Sequence, residues 1–343
     1  MRTEHLCARY PQGKHGTVVM FIARSSYQSP LLILISVFLL AGCDSAKTPD
    51  TYSDVATQGA YTITLNHQGN AAFVGSLHHG GSYWTLVPPD RHFDWNHKAE
   101  GYSSLSSAAF APYDDFVATT DKRTIVLWSV ATGESVWYWN APGDIEDIAL
   151  TAHGELALLG LSDYTATLFD IRNGGIRQRL AHEGTVYDVS LNTEGLIGAT
   201  ASDDLTAVVW NLNDGSRIQT FTHNNQVKTA ELSPTGRLLF TSALGEPGRV
   251  WEVSSGNLLF ELPGGRGHFS AASFNANEQH LATGNTSGQI QLWNLNDGTE
   301  KERWRATAGD KWVGNNVQVE DVTFSSNGIV AAGANGRIYH MNF

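Results

Sequence analysis

Five segments of the chain alternate apolar and polar positions up to an aromatic or its neighbour, then turn: "DKRTIVLWSVATGESVW", "SDYTATLFDIRNGGIRQ", "SDDLTAVVWNLNDGSRI", "GEPGRVWEVSSGNLLF" and "TSGQIQLWNLNDGTEKE". The aromatics Trp128, Phe169, Trp210, Trp251 and Trp293 lie 41, 41, 41 and 42 residues apart. A second marker, the apolar residue closing an earlier strand, falls at Phe110, Leu150, Leu191, Leu232, Phe274 and Phe324, with spacings of 40, 41, 41, 42 and 50. Within the unit that holds Trp210, "VYDVSL" alternates, "NTEG" turns, "LIGATAS" is mostly apolar, "DD" turns, "TAVVWNL" alternates, "NDGS" turns and "RIQTFT" finishes. Period-two alternation buries one face of a strand, and Asp-Gly and Asn-Gly pairs make tight turns, so each unit predicts a meander of four short strands. One such sheet cannot cover both of its faces. Units of 40–45 residues must therefore stack on one another, and stacked radially they predict a β-propeller.

These residues resemble the WD40 repeat family over roughly residues 51–343. The unit around Trp210 carries the fullest set: His182 before "TVYDVSL", Thr200 in the second strand, Asp204 in the turn and Trp210 in the third strand. The resemblance implies a buried structural network, His to Asp and Ser/Thr to Trp, and this outweighs a catalytic His182–Asp204 pair. Elsewhere the pattern decays. His223 has no matching Asp before Trp251, Asp163 has no matching His, Phe169 replaces Trp, and the Gly-His dipeptide occurs once, at Gly267-His268, three residues late.

The ends set the blade count. Residues 61–97 form a divergent first blade with Val87 in the aromatic slot, while Trp84 and Trp95 read as strand residues of the core. The last unit, "VEDVTFSSNGIVAAGANGRIYHMNF", has three strands, and "TYSDVATQ" at residues 51–58 supplies the fourth. The expected fold is all-β: a seven-bladed WD40-type propeller of four-stranded antiparallel blades, its ring closed by the N-terminal strand so that no open edge remains.

Ahead of the repeats, Leu31–Leu40 is an apolar run of ten residues with one Ser, too short at 1.5 Å per residue for a ~30 Å hydrocarbon core. It fits the apolar region of a secretory signal. The following "LAGC" resembles the lipobox of bacterial lipoproteins, which implies cleavage before Cys43 and lipidation of that residue. The expected organisation is a signal peptide over 1–42, a tether over 43–50 and the propeller over 51–343. The apolar run sits late for a signal, and Met20 begins a segment of ordinary length with Arg24 ahead of the run, so translation is expected to start there. Asp44 resembles the signal that keeps lipoproteins at the inner membrane in enteric bacteria, placing the propeller on the periplasmic side.

Charge and cysteine content narrow the chemistry. The chain is −12 overall, and residues 1–42 hold Arg2, Arg9, Lys14, Arg24 and Glu4, which leaves −15 on the remainder. So acidic a body repels phosphate backbones, and nucleic acid is excluded as a partner. No cysteine follows Cys43, which rules out thiol chemistry and disulfides in the mature body. No GxSxG, HExxH or GxxxxGK motif is present, and the expectation is a non-enzymatic protein without cofactor or metal. His78, His79, His92 and His97 cluster with Asp94, but neighbouring strand residues point to opposite faces and no metal-ligand spacing supports them.

The functional candidates are instead exposed residues. An insertion, "ATAGDKWVGNNVQ", carries Trp312 beside Asp310 and Lys311, and with His78 and His79 it is expected to rim one face of the ring as a protein- or peptide-binding surface. The leading expectation is a lipid-anchored, monomeric binding scaffold. Two alternatives remain. "ATGESVW" resembles the TGxxxW signature of the propeller lipoprotein of outer-membrane barrel assembly and of quinoprotein blades, and a propeller enzyme, hydrolase or quinoprotein, is the third reading.

Overall fold

The computed structural model describes residues 46–76, 78–98, 101–264, 267–308 and 316–342. Cys43 and the Asp310–Lys311–Trp312 triplet lie outside the described residues. Strands dominate, and they assemble into seven four-stranded antiparallel sheets. Blades 1 to 6 span 60–95, 107–140, 145–181, 186–222, 227–262 and 269–305, each in simple sequence order from the inner strand to the outer. Blade 7 joins the strands of 319–342 to Thr51–Asp54, whose register on the last strand runs from Thr51↔His340 to Asp54↔Arg337. The N-terminal strand thus closes the ring, as the offset between first and last units implied. Just upstream, Lys47 exchanges backbone hydrogen bonds with Arg303 and Arg305 of the outer strand of blade 6. Its ammonium pairs with Glu302 at 2.5 Å. One short segment therefore straps blade 6 to blade 7.

Burial follows strand position, which explains the composition of each. Second strands are sandwiched between neighbouring blades and read as continuous apolar or small residues, such as "AAFVGS", "LLFTSA" and "GIVAAG", all buried. Outer strands are mostly exposed, as in "SVWYWN". The core lies between blades rather than within them. Phe240, Val250 and Leu262 of blade 5 pack on Phe269, Leu281 and Trp293 of blade 6. At about 25 cal/mol per Å² of apolar surface, each such seam gives the ring its cohesion, and neither blade could bury that surface alone.

Inner strands add a second tie. The Val189 amide donates to Asp147 Oδ2 across blades 3 and 4 (3.1 Å), the Ala230 amide to Asp188 Oδ2 across blades 4 and 5 (2.7 Å), and the Leu65 amide to Asp321 Oδ2 across blades 7 and 1 (2.7 Å). Six inner strands slip register after their first residue, for example between Val186 and Asp188. Such a bulge re-aims side chains.

One assignment is corrected. The aromatic slot of blade 1 is filled by Trp84, not Val87. Trp84 pairs with Ala72 as Trp128 pairs with Val117 and Trp210 with Gly198, while Val87 stands in the following turn, 76 % exposed. The eleven-residue connection from Asn96 to Ser106 is longer than the four- to six-residue connections between blades 2 and 6, so counting back 41 residues from Trp128 stops three residues short of the slot. Trp95 is fully buried and stacks on Trp128 at 5.4 Å.

Candidate functional site

A propeller offers two faces and a central channel. The loop face carries the turns between second and third strands and the connections from one blade to the next. The opposite face carries the remaining turns.

Beneath the loop face lies the network around His182. Trp210 Nε1 donates to Thr200 Oγ1 (2.9 Å), and His182 contacts Thr200 Oγ1 through Nε2 (2.7 Å) and Asp204 Oδ2 through Nδ1 (2.8 Å). Since the carboxylate accepts at Nδ1, that nitrogen bears the proton, and the Thr200 hydroxyl donates to Nε2. Burial holds the His182 pKa below its ordinary value, which keeps the ring neutral. Burial pushes the Asp204 pKa upward, but hydrogen bonds from Thr206, the Glu183 amide and His182 outweigh it and keep the carboxyl ionised. Each polar group of the network has a partner, and together they hold the turn that carries Asp204 against the strand of Thr200 and Trp210.

Other blades hold fragments of this network that the spacing alone did not reveal. In blade 5 the missing Asp is replaced by Glu246, which meets His223 Nδ1 at 3.4 Å and accepts from the Asn224 amide at 2.7 Å. In blade 2 His97 Nε2 contacts Thr119 Oγ1 (2.8 Å), which also accepts from Trp128 Nε1 (2.8 Å). Burial pushes the His97 pKa down to about 4. In blade 3 the three slots hold Ala141, Leu159 and Phe169, all buried and apolar. Asp163 there keeps only half of the role, accepting from the Thr165 amide and hydroxyl. In blade 6 Gly264 stands where His would, and its carbonyl accepts from Asn285 Nδ2 (3.1 Å).

The candidate histidines therefore separate. His97 belongs to the interior of blade 2, and His92 lies on an outer strand against Thr85 Oγ1 (3.1 Å). His78 and His79 are exposed in a loop-face turn, where His79 packs edge-on against Tyr102 (5.8 Å, 84°). Among the described residues no three His, Cys, Asp or Glu side chains are grouped as a metal site requires.

Two loop-face residues missed from the sequence stand out on backbone geometry. Tyr164 has φ +71° and is 53 % exposed; Leu205 has φ +70° and is 40 % exposed. They occupy the same turn position in blades 3 and 4, and their carbonyls accept from the His182 and His223 amides (both 2.9 Å). Blades 6 and 7 place Gly288 and Gly336 there, with φ +83° and +78°. A left-handed conformation costs a bulky L-residue about 1–2 kcal/mol, and here two of them also expose apolar surface. The signal was present in the sequence as "DYT" and "DLT" where other units read "SGQ" and "NGR".

The channel holds the second missed set. Asp147, Asp188 and Asp321 project into it from one level of the inner strands, Glu231 from the next and Glu320 beside Asp321. They line a cavity of 530 Å³. Burial raises the carboxyl pKa at each. Asp188 is also raised by Asp147, and Glu231 by Asp188, Asp321 and Asp147. Asp321 is pushed up to about 6, and Glu320, with Asp321 alongside, to about 7. The negative charge of Asp147 disfavours ionisation of Asp188, so the two carboxyls do not ionise independently.

Comparison with known families agrees with this architecture. Residues 256–294 match the WD40 family, described as WD domain, G-beta repeat. The match runs from the outer strand of blade 5 through the first three strands of blade 6, so the sequence repeat is offset by one strand from the blade and links neighbours. It falls on the unit of Trp293 rather than on that of Trp210. A search of curated proteins found no match.

Proposed function

We propose that this chain is a lipid-anchored, non-catalytic scaffold that binds a protein or peptide partner through the loop face of its propeller. WD40 propellers generally mediate protein interactions. The observation that carries the reading is the pair Tyr164 and Leu205: apolar side chains held exposed, at a conformational cost, where blades 6 and 7 place glycine. Strain retained on a surface marks a place where the side chain is needed for contact. His79 and Tyr102 extend the same face. Anchoring through Cys43, at the periplasmic side of the inner membrane, follows from the "LAGCD" sequence.

Two outcomes test this. Leu205→Asn and Tyr164→Asn replace a strained residue by one that tolerates the left-handed turn, so thermal stability should stay constant or rise by up to about 1 kcal/mol. Capture of partner from membrane extracts by the full chain should fall at least tenfold. Variants that melt several degrees lower and capture normally would make both residues packing elements. Separately, Cys43→Ser should move the protein from the membrane fraction to the soluble fraction, and retention in the membrane would end the lipoprotein reading.

A further inference from the structure

The N-terminal strap fixes where the chain leaves the ring. The Lys47 amide donates to the Arg303 carbonyl (2.8 Å) and its carbonyl accepts from the Arg305 amide (3.0 Å), so Lys47 lies on the outer edge of the outer strand of blade 6. Three residues on, the Asp50 amide donates to the His340 carbonyl (3.0 Å), and the Asp50 carboxylate accepts from the Asn342 amide (2.7 Å). Thr51–Asp54 then pairs along blade 7. A tether expected over residues 43–50 is thereby cut to the four links from Cys43 to Lys47, which extend over at most about 14 Å. In a ring of seven blades, the seam between blades 6 and 7 lies across from blade 3, which carries Tyr164.

The edge at this exit differs in charge from the rest of the molecule. The strand "TEKERWR" at 299–305 sets Lys301, Arg303 and Arg305 against Glu300 and Glu302, a balance of +1, in a body that carries −15. Lys47, Lys301 and Arg305 are exposed. Both acids of the strand are neutralised by pairing, Glu302 with Lys47 and Glu300 with Arg303. Tyr52, 52 % exposed, stands five residues beyond Lys47, with the Arg337 guanidinium 4.0 Å from its ring centroid. Exposed cations and amphipathic tyrosines suit a headgroup layer.

We propose that the rim at blades 6 and 7 is the surface this protein lays against an anionic lipid bilayer, with both faces of the ring standing off it. The proposal rests on the lipidation of Cys43 proposed for this chain. Acyl chains on Cys43 hold that residue in the headgroup layer, and the short tether then confines contact to the part of the ring within about 14 Å of Lys47. Within that reach, the cations of the outer strand are drawn to anionic headgroups, whereas the acidic body as a whole is repelled. Standing on its rim, the ring keeps Tyr164 and Leu205 far from the bilayer and leaves the loop face open to a partner.

The test places single fluorophores in the full chain through Lys301→Cys, Arg179→Cys, Glu183→Cys and Glu194→Cys, since no native cysteine follows Cys43. These mark the blade 6 rim, the blade 3 rim, the loop face and the opposite face. Each acylated protein is reconstituted into vesicles of phosphatidylcholine and phosphatidylglycerol that contain a lipid with a nitroxide on its headgroup. Quenching at 301 should exceed that at 179, 183 and 194 several-fold. Inserting about twenty Gly/Ser residues after Asp44 should weaken the quenching at 301, because a long flexible tether no longer holds the rim at the surface. A label at 183 or 194 quenched as strongly as that at 301 puts a face on the bilayer and overturns the proposal. Quenching at 301 that the insertion leaves unchanged overturns it too. Mass spectrometry of the N-terminal peptide separates the two readings: an unacylated Cys43 ends the lipoprotein reading and this proposal together, whereas an acylated Cys43 with a quenched face ends this proposal alone.

Discussion

Replacing Thr200 by valine is expected to lower the unfolding free energy by about 2–5 kcal/mol, because one lost hydroxyl strands two buried groups. Thr200 is fully buried, and its oxygen serves both the Trp210 indole N–H and the His182 imidazole. A buried donor or acceptor left without a partner costs about 1–3 kcal/mol each. Blade 6 supplies a graded control. Thr283 accepts only from Trp293 Nε1 (2.9 Å), with Gly264 in the histidine slot, so Thr283→Val should cost about half as much.

Blade 3 supplies the rescue. Its Ala141, Leu159 and Phe169 show that the same slots fold with no polar group at all. The triple variant H182A/T200L/W210F should therefore lose less stability than T200V alone, although it changes three residues. Thermal and urea unfolding of the four proteins decides the matter. A triple variant more damaging than the single one would mean that the network contributes through packing of the large rings and not through its hydrogen bonds.

How much of this was legible beforehand depended on which physical rule set each feature. The ring was legible because burial between stacked blades forces a strict period, and Trp128, Phe169, Trp210, Trp251 and Trp293 keep it. Closure by residues 51–54 was legible because the last unit lacks one strand. Val87 was misplaced because the blade 1 to blade 2 connection breaks that period, and a count cannot see a longer loop. Glu246 was hidden for the same reason: its turn is one residue longer, and a longer carboxylate side chain reaches His223 from the shifted position.

The channel acids left a signal that was open to be read, an Asp three residues before the closing apolar residue in "IEDIAL", "VYDVSL" and "VEDVTF". An alternating pattern shows only that such a residue faces away from the core. That it faces other carboxylates follows from ring closure and from the bulges, both properties of the assembled fold.

Those carboxylates give the second large expectation, that Glu320→Gln and Glu231→Gln will each stabilise the protein at pH 8 and leave it unchanged at pH 4. Burial, with Asp321 beside it, raises the Glu320 pKa from 4.5 to about 7. A raised acid pKa means that the folded state binds the proton more tightly than the unfolded one. Its contribution is therefore favourable to the protonated fold, and stability falls as pH climbs from the unfolded pKa through the folded one. Glutamine carries no such dependence, so the difference between variant and wild type should open from about pH 4.5 and level off above pH 7, at no more than about 3 kcal/mol for Glu320.

Glu231, raised well above its ordinary value by burial and by Asp188, Asp321 and Asp147, has no hydrogen-bond partner among the described residues, and glutamine there removes charge without breaking a contact. Buried His182 and His223 and the half-buried His97, His268, His280 and His340 act in the opposite sense, since their lowered pKa values cost stability as pH falls below about 6.5. They are common to both proteins and cancel in the difference. Melting curves at half-unit steps from pH 4 to pH 8 measure it directly. A constant offset across that range would show that these side chains are ionised without penalty, reached by enough water in the channel to behave as surface carboxylates.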